Sequence, residues 1–275
     1  MQLDLHNDKD IFGDYQLFEL PISESKSISS SLSESSLRIT FNTQNGEILY
    51  KGVPPKGADR GKVGLTKADD ILHKVYEAIR QDDPFADQLL YDMHQSMIAL
   101  EETCERANEI IRKNYQEKMR DGVSMKIEKS KNTPFDVRLK TNFCRGLLWK
   151  IKQVDDLTMM NLAGRYREIL DVKTSQQINK ALMSTAWNIL YLVFHWKATG
   201  VTRQDVIENN KRFEQAANIN SKILLTEGVL NRSERSTYAP EILIKPQDDI
   251  VPLIDKETQK SETAKAFSEA PKISA

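Results

Sequence analysis

Cysteine and long apolar runs are both scarce in this sequence. The chain has 275 residues and only two cysteines, Cys104 and Cys144. Two cysteines cannot build a disulfide framework, and their separation does not fit a paired zinc site. The longest apolar stretch, at residues 189–194, is far too short to cross a bilayer. The N-terminus is polar and acidic, unlike a secretory signal. We therefore expect a cytoplasmic protein without a membrane segment.

Recognisable catalytic motifs are also missing. The sequence contains no nucleophile elbow, no zinc-protease motif, no P-loop and no dinucleotide fingerprint. Its four histidines are scattered without a Cys, His or carboxylate at ligand spacing. Paired aspartates recur, but adjacent residues on a helix point apart, so these "DD" pairs suit helix starts better than paired acid and base catalysis. We expect neither enzymatic activity nor a metal or cofactor.

The net charge alone does not predict a binding partner, but the distribution of charge along the chain does. The formal net charge is −1, whereas residues 112–152 contain twelve Lys or Arg and four Asp or Glu. Such a basic stripe is typical of a phosphate-binding surface. The alternative is a solvated face whose acidic neighbours come from elsewhere in the fold.

Helical periodicity dominates the middle of the chain and predicts a mainly α-helical fold with a short β-ribbon. Asp83, before Pro84, is predicted to start a long helix. A stripe of apolar residues predicts that this helix runs from about residue 85 to 120, packed along a partner inside the chain or across a dimer. The stripe comprises Leu89, Met93, Met97, Leu100, Cys104, Ala107 and Ile111. The other predicted helices are one capped by Thr66 and ending near residue 81, one from 142 with a break near "QVDD" or at Gly164, one over 175–199, and one from Thr202 to 217. The "NG" dipeptide at Asn45 and Gly46 predicts a β-hairpin.

Composition divides the chain into three parts. Nine serines among residues 23–36 indicate a flexible N-terminal region over residues 1–35. Residues 36–243 carry the periodic segments and form the predicted DNA-binding and dimerisation domain. Residues 244–275 lack periodicity and are predicted to be a disordered tail.

One short segment alternates with the period of a β-strand. Phe135, Val137 and Leu139 alternate with Asp136, Arg138 and Lys140, and two predicted helices follow. A strand pair fits the DNA major groove, and a two-fold related chain is the simplest source of the second strand. The pattern predicts a ribbon-helix-helix core at about residues 134–172. An ordinary edge strand with protective charges is the alternative.

The outward positions of this strand provide the candidate DNA-binding residues. Arg138, Lys140 and Asn142 are predicted to read bases, because Arg and Lys donate to guanine and Asn pairs with adenine. The predicted phosphate contacts are Arg145, Lys150, Lys126, Lys129 and Lys131. The segment "LRITFNTQ" competes for the same role, with Arg38, Thr40 and Asn42 outward.

Three blocks carry a resemblance to a known family. They are "VGLTKADDILHKVYEAIRQDDPFADQLL" at 63–90, "ATGVTRQDVIENNKRFEQAANI" at 198–219 and "YAPEIL" at 238–243. They resemble the AcaB family of transcriptional regulators, which are carried by integrating conjugative elements and conjugative plasmids. The resemblance implies a dimeric ribbon-helix-helix protein that binds promoter DNA and activates conjugation genes. Activation would need contact with RNA polymerase or with another regulator. We expect a cytoplasmic protein that is associated with the nucleoid or a plasmid.

A helical scaffold that binds protein within a conjugation apparatus, without DNA affinity, is the alternative function. The sequence leaves open the operator, the sign of regulation, any effector ligand and which of the two strands forms the ribbon.

Overall fold

The computed structural model describes residues 37–57, 61–118 and 134–243. It confirms a mainly helical chain with a small antiparallel ribbon. The four strands of the described residues are β1 (Arg38–Ile39), β2 (Gly52–Val53), β3 (Lys62–Val63) and β4 (Phe135–Asp136). The helices are α1 (Gln44–Lys51), α2 (Leu65–Arg80), α3 (Pro84–Lys118), α4 (Asn142–Tyr166), α5 (Val172–Leu192), α6 (Arg203–Ile207), α7 (Lys211–Ile219) and α8 (Glu227–Leu230).

Helix α3 is the central element of the core. All seven residues of its predicted apolar stripe are buried, and the helix packs against α4 and α5 of the same chain. The partner expected for this long helix is therefore intramolecular. Asp83 begins the helix as predicted, because its Oδ1 accepts hydrogen bonds from the backbone N–H groups of Phe85 and Ala86.

The predicted hairpin at residues 37–50 is wrong, because helix α1 occupies its second half. Thr43 caps this helix by accepting a hydrogen bond from the N–H of Gly46. Gly46 lies inside the helix for a packing reason. A Cβ atom there would approach Asp155 Oδ1 to 2.6 Å, so the glycine permits contact with α4 and does not form a turn.

Three helix boundaries also differ from the sequence predictions. Helix α4 runs through "QVDD" and Gly164 without a break. Helix α2 begins one residue before Thr66, and its N-cap is Gly64. Helix α5 begins at Val172 and ends at Leu192, followed by a 3-10 turn at Val193–His195.

The helix predicted from Thr202 to residue 217 is two helices. Thr202 caps α6 with a capping box, as expected, but α6 ends at Ile207. Asn209 then adopts a left-handed backbone conformation, and the Asn210 side chain accepts hydrogen bonds from the N–H groups of Arg212 and Phe213. The chain therefore leaves one helix and caps the next within three residues.

The ribbon consists of β1 and β4, the two segments that competed for this role in the sequence. They are antiparallel, with Arg38 opposite Asp136 and Ile39 opposite Phe135. The second strand thus comes from the same chain, whereas the strand pattern predicted that it comes from a second copy. Strand β4 covers only the beginning of the predicted segment 135–140. The predicted N-terminal and C-terminal tails lie outside the described residues.

Candidate nucleic-acid interface

The two faces of the ribbon differ in polarity. On the inner face, Ile39 is buried and Phe135 is half-buried. On the outer face, Arg38, Asp136 and Arg138 are exposed, as the alternation of a strand requires. The face available to a partner is therefore polar and carries two arginines and one aspartate.

An aromatic cluster supports the ribbon from below. The ring centroids of Phe41, Tyr50 and Phe135 lie 5.7–6.3 Å apart. Tyr50 Oη donates a hydrogen bond to the backbone oxygen of Asp136, and burial raises the pKa of Tyr50. Lys51 Nζ lies 3.9 Å from the centre of the Phe135 ring. Since these rings fill the space under both strands, the outer side chains stand on a packed base.

A buried carboxylate holds the junction between β1 and α1. Asp155 accepts hydrogen bonds from the backbone N–H groups of Asn42 and Thr43 and from the hydroxyl of Thr43, at 2.7–2.8 Å. Lys152 Nζ balances its charge at 3.1 Å. Asp155 thus fixes the direction in which the chain leaves β1.

A second buried carboxylate does the same at the junction between β4 and α4. Asp69, in α2, accepts hydrogen bonds from the N–H groups of Lys140 and Thr141 and from the hydroxyl of Thr141, at 2.6–3.0 Å. Thr141 in turn caps α4 by accepting from the N–H of Cys144, whose thiol pKa is raised by burial. Each junction thus pairs one buried aspartate with one capping threonine.

Sequence reasoning missed both aspartates. Their "DD" pairs were interpreted as helix starts, although each pair contains one buried and one less buried carboxylate. The available signal was the repeated spacing of threonine after the two alternating segments. Thr43 follows Arg38 by five residues, and Thr141 follows Asp136 by five residues.

The three predicted base readers lie in different settings. Arg138 is exposed and makes no hydrogen bond or ion pair with another described residue. Lys140 follows β4, and its Nζ donates to Asp70 at 2.7 Å. This hydrogen bond raises the pKa of Lys140 and lowers that of Asp70. Asn142 is the exposed first residue of α4, and its Oδ1 accepts from Arg145 Nη1 at 3.2 Å.

The predicted phosphate contacts are only partly described. The guanidinium of Arg145 donates to the backbone oxygen of Leu139, so it closes the turn before α4. Lys150 forms an ion pair with Glu101 of α3. Lys126, Lys129 and Lys131 lie outside the described residues.

The competing strand shares the outer surface with Arg138. Arg38 Nε donates to Asp136 Oδ1 across the ribbon at 3.0 Å, and both side chains are more than half exposed. Thr40 is half-buried. Asn42 lies beyond the strand, and its Nδ2 donates to Asp156 Oδ1 at 2.7 Å. Arg38 and Thr40 are therefore the members of this set on the ribbon itself or next to it.

A buried ionic cluster lies at the start of α3. We use this term for Asp82, Asp87, Arg203, Arg232 and Arg235. Arg203 is only 4% exposed, and it pairs with Asp82 and with Asp87, the latter at 2.6 Å. Arg232 adds a contact to Asp82 at 3.0 Å, and Arg235 adds one to Asp87 at 2.9 Å. The cluster joins the C-terminal segment of the described chain to α3.

Asp83 lies beside this cluster and has an unusual ionisation. Burial raises its pKa to about 6, although hydrogen bonds from two backbone N–H groups oppose the shift. Its Oδ2 accepts a hydrogen bond from Trp196 Nε1 at 3.4 Å. It borders a cleft of about 350 Å³ that is also lined by Lys74, Glu77 and Thr202.

The ionic cluster brings together the sequence blocks that carry the family resemblance. Asp82 and Asp87 belong to "DDPFAD", and Arg203 belongs to "GVTRQDV". The block "YAPEIL" is held beside them, because Arg235 donates to the backbone oxygen of Pro240.

Comparison with protein families gives one match over most of the chain. The model of the transcriptional regulator AcaB matches residues 31–243. The chain belongs to the AcaB family. As a member, it is a transcriptional regulator, and the match spans both the ribbon and the ionic cluster. No curated protein and no solved structure matches the chain.

Two further observations concern this AcaB-family chain. None of the helices in the described ranges is long and apolar enough to cross a membrane. Among residues 37–57, 61–118 and 134–243, no group of three Cys, His, Asp or Glu side chains could hold a metal ion.

Proposed function

We propose that the chain is a non-enzymatic, sequence-specific DNA-binding protein that activates conjugative transfer genes. In this proposal the outer face of the ribbon lies in the major groove of promoter DNA, in a ribbon-helix-helix manner. The observation that carries the proposal is the exposed polar face of a two-stranded ribbon in a chain of a regulator family. The major groove is about 12 Å wide and admits such a ribbon.

Arginine availability supports this role. Arg138 is exposed and makes no hydrogen bond or ion pair with another described residue. A guanidinium can donate to guanine O6 and N7. Arg38 is bound to Asp136, but an exposed ion pair contributes at most about 1 kcal/mol. A guanine can therefore replace Asp136 as the partner of Arg38 at small cost. Thr40 adds a hydroxyl near the same face.

The flanking positions supply secondary contacts. Lys140 and Asn142 continue from the ribbon toward α4 and are proposed to read the bases at its edge. Arg145, Lys150 and the three lysines at positions 126, 129 and 131 are proposed to contact phosphates. Phosphate contacts orient a protein on DNA without reading sequence.

The resemblance adds the biological setting. The expected homodimer places two ribbons on one promoter, one from each copy. Activation then requires contact with RNA polymerase or displacement of another regulator. The proposed location is the cytoplasm, with the protein associated with plasmid or nucleoid DNA.

The test is fluorescence-anisotropy binding to a duplex from upstream of the conjugation genes and to a scrambled duplex, over a salt series. Arg138→Ala should weaken promoter binding by about 1–3 kcal/mol and scrambled binding by much less. Adding Lys140→Ala should remove most of the remaining preference. The control is Arg106→Ala, since Arg106 is an exposed arginine on α3 and not on the ribbon.

Two results would contradict the proposal. Equal losses on both duplexes would show that Arg138 is not a base reader. Absence of wild-type binding to either duplex at low salt would contradict DNA binding itself and favour the protein-binding scaffold.

A further inference from the structure

We infer that one chain forms a complete DNA-reading ribbon and that this ribbon reads a short, non-palindromic site. The inference rests on the proposed function and deepens it. In this inference, the two strands of each ribbon come from one chain and not from the two copies of a homodimer.

The pairing of the strands is the first observation. Arg38 lies opposite Asp136, and the N–H of Val137 donates to the backbone oxygen of Leu37 at 2.8 Å. Each strand thus finds its neighbour within the chain, although 97 residues separate Arg38 from Asp136. A second copy is not needed to complete the ribbon.

The junctions after the two strands resemble each other, which is the second observation. In each half, the paired strand residue precedes the capping threonine by five positions. Phe41 and Leu139, two residues before the caps, are both buried. One buried aspartate then accepts two backbone N–H groups and the threonine hydroxyl, with Asp155 in one half and Asp69 in the other. The single chain therefore repeats the strand-to-helix unit that two protomers would otherwise contribute.

The outer side chains of the two halves are different, which is the third observation. One strand offers Arg38 and Thr40, and the other offers Asp136 and Arg138. A two-fold symmetric homodimer presents the same residues twice and reads a palindrome. This ribbon presents two different sets, so its two strands recognise different bases.

A disulfide experiment tests the pairing without DNA. Arg38 and Asp136 are exposed and directly opposed, so the variant with Arg38→Cys and Asp136→Cys should close a disulfide within one chain on mild oxidation. The native cysteines are buried and remain in place. At low protein concentration, the expected product migrates as a covalent monomer on a non-reducing gel and has no new free thiol.

The controls are the two single-cysteine variants, which should also migrate as covalent monomers but should each keep one reactive thiol. Covalent dimers, or no disulfide in the double variant, would overturn the inference.

A DNA experiment tests the asymmetry. We would use the shortest promoter duplex that retains binding and determine the stoichiometry by native mass spectrometry. Guanine-N7 methylation interference would then be compared between wild type, Arg38→Ala and Arg138→Ala. We expect one ribbon site per shortest duplex, and each variant should lose interference at a different guanine within that site. Loss at two symmetry-related guanines in each variant, with two chains bound, would overturn the inference.

The two experiments separate this inference from the proposed function. If the wild type binds no DNA, the proposed function fails, and so does the inference that the ribbon reads a short, non-palindromic site. The disulfide result still decides whether the ribbon forms within one chain.

Discussion

The ribbon and the buried ionic cluster both depend on arginine and aspartate, but they use them in opposite ways. At the ribbon, Arg38 and Asp136 are more than half exposed, and Arg138 is exposed too. In the cluster, Arg203 and Asp87 are buried and hydrogen-bonded. Exposed charges can exchange partners at low cost, whereas buried charges cannot. The motifs that identify the family thus lie at a structural anchor, and the proposed recognition surface lies elsewhere.

The largest expected effect comes from breaking the cluster. Arg203→Met removes the charge between Asp82 and Asp87 while it keeps much of the side-chain volume. We expect a loss of about 3–5 kcal/mol in the free energy of unfolding, because two buried carboxylates lose their central partner. Urea unfolding measures it. Arg212→Met is the control, since Arg212 is 65% exposed and lies 3.8 Å from Asp205, and it should cost less than about 1 kcal/mol. Similar losses in the free energy of unfolding of the two variants would show that the buried ion pairs of the cluster stabilise the fold no more than an exposed pair does.

The second prediction concerns the two carboxylates beneath the ribbon. Asp155→Ala and Asp69→Ala each leave two backbone N–H groups and one hydroxyl without their acceptor. Each should lower the free energy of unfolding by about 3 kcal/mol. The neighbouring residues provide matched controls, because Asp156 and Asp70 are less buried and pair with lysines. Asp156→Ala and Asp70→Ala should cost about 1 kcal/mol or less. If Asp69→Ala or Asp155→Ala lowered the free energy of unfolding no more than the variant of its neighbour, the two junctions would not be equivalent.

A pH dependence distinguishes the region around the cluster from the ribbon. The pKa of Asp83 is raised from 3.8 to about 6, so the folded state binds its proton more tightly than the unfolded state. The stabilising contribution of Asp83 is present below about pH 4 and is lost as pH rises through 6. The loss is about 3 kcal/mol at most, at about 1.4 kcal/mol per pH unit. Urea unfolding of wild type and Asp83→Asn between pH 4 and 7 measures the difference. Parallel pH profiles for the two proteins would contradict the assignment.

The smallest expected effect is on the outer face of the ribbon. Asp136→Asn removes the exposed partner of Arg38 and should change the free energy of unfolding by less than about 1 kcal/mol. Arg38 then presents an uncompensated positive charge to the DNA, so the slope of log K against log salt should steepen by about 0.9. The control is Glu102→Gln, which releases Arg106 on α3. An unchanged slope for Asp136→Asn would place Arg38 away from the DNA.

Periodicity was a reliable guide to the long helices. The stripe from Leu89 to Ile111 predicted α3 and its buried face, because apolar side chains at three- and four-residue steps form one surface. Asp83 and Thr202 were recognised as helix starts because a short acceptor side chain satisfies the first N–H groups. These signals are local, and the structure confirms them.

Long-range contacts explain the errors. The "NG" dipeptide predicted a hairpin, but Gly46 is a glycine because Asp155, more than a hundred residues away, approaches it. "QVDD" suggested a helix break, although its aspartates hold the junction of β1 with α1. No local pattern shows that β1 and β4 are paired, since each strand has only two residues. The partner of a strand depends on the packing of the whole chain, which a local pattern does not contain.

A ribbon made from one chain changes how the regulator and its operator can evolve. In a symmetric homodimer, one codon change alters both halves of the recognised sequence together, so the operator must change at two places at once. Here Arg38 and Arg138 are encoded separately. Under the proposed function, a substitution at either position alters one part of the site that a ribbon reads, and a single base change within that site can compensate. Under the proposed function, regulators with such ribbons can therefore acquire new operators in small steps.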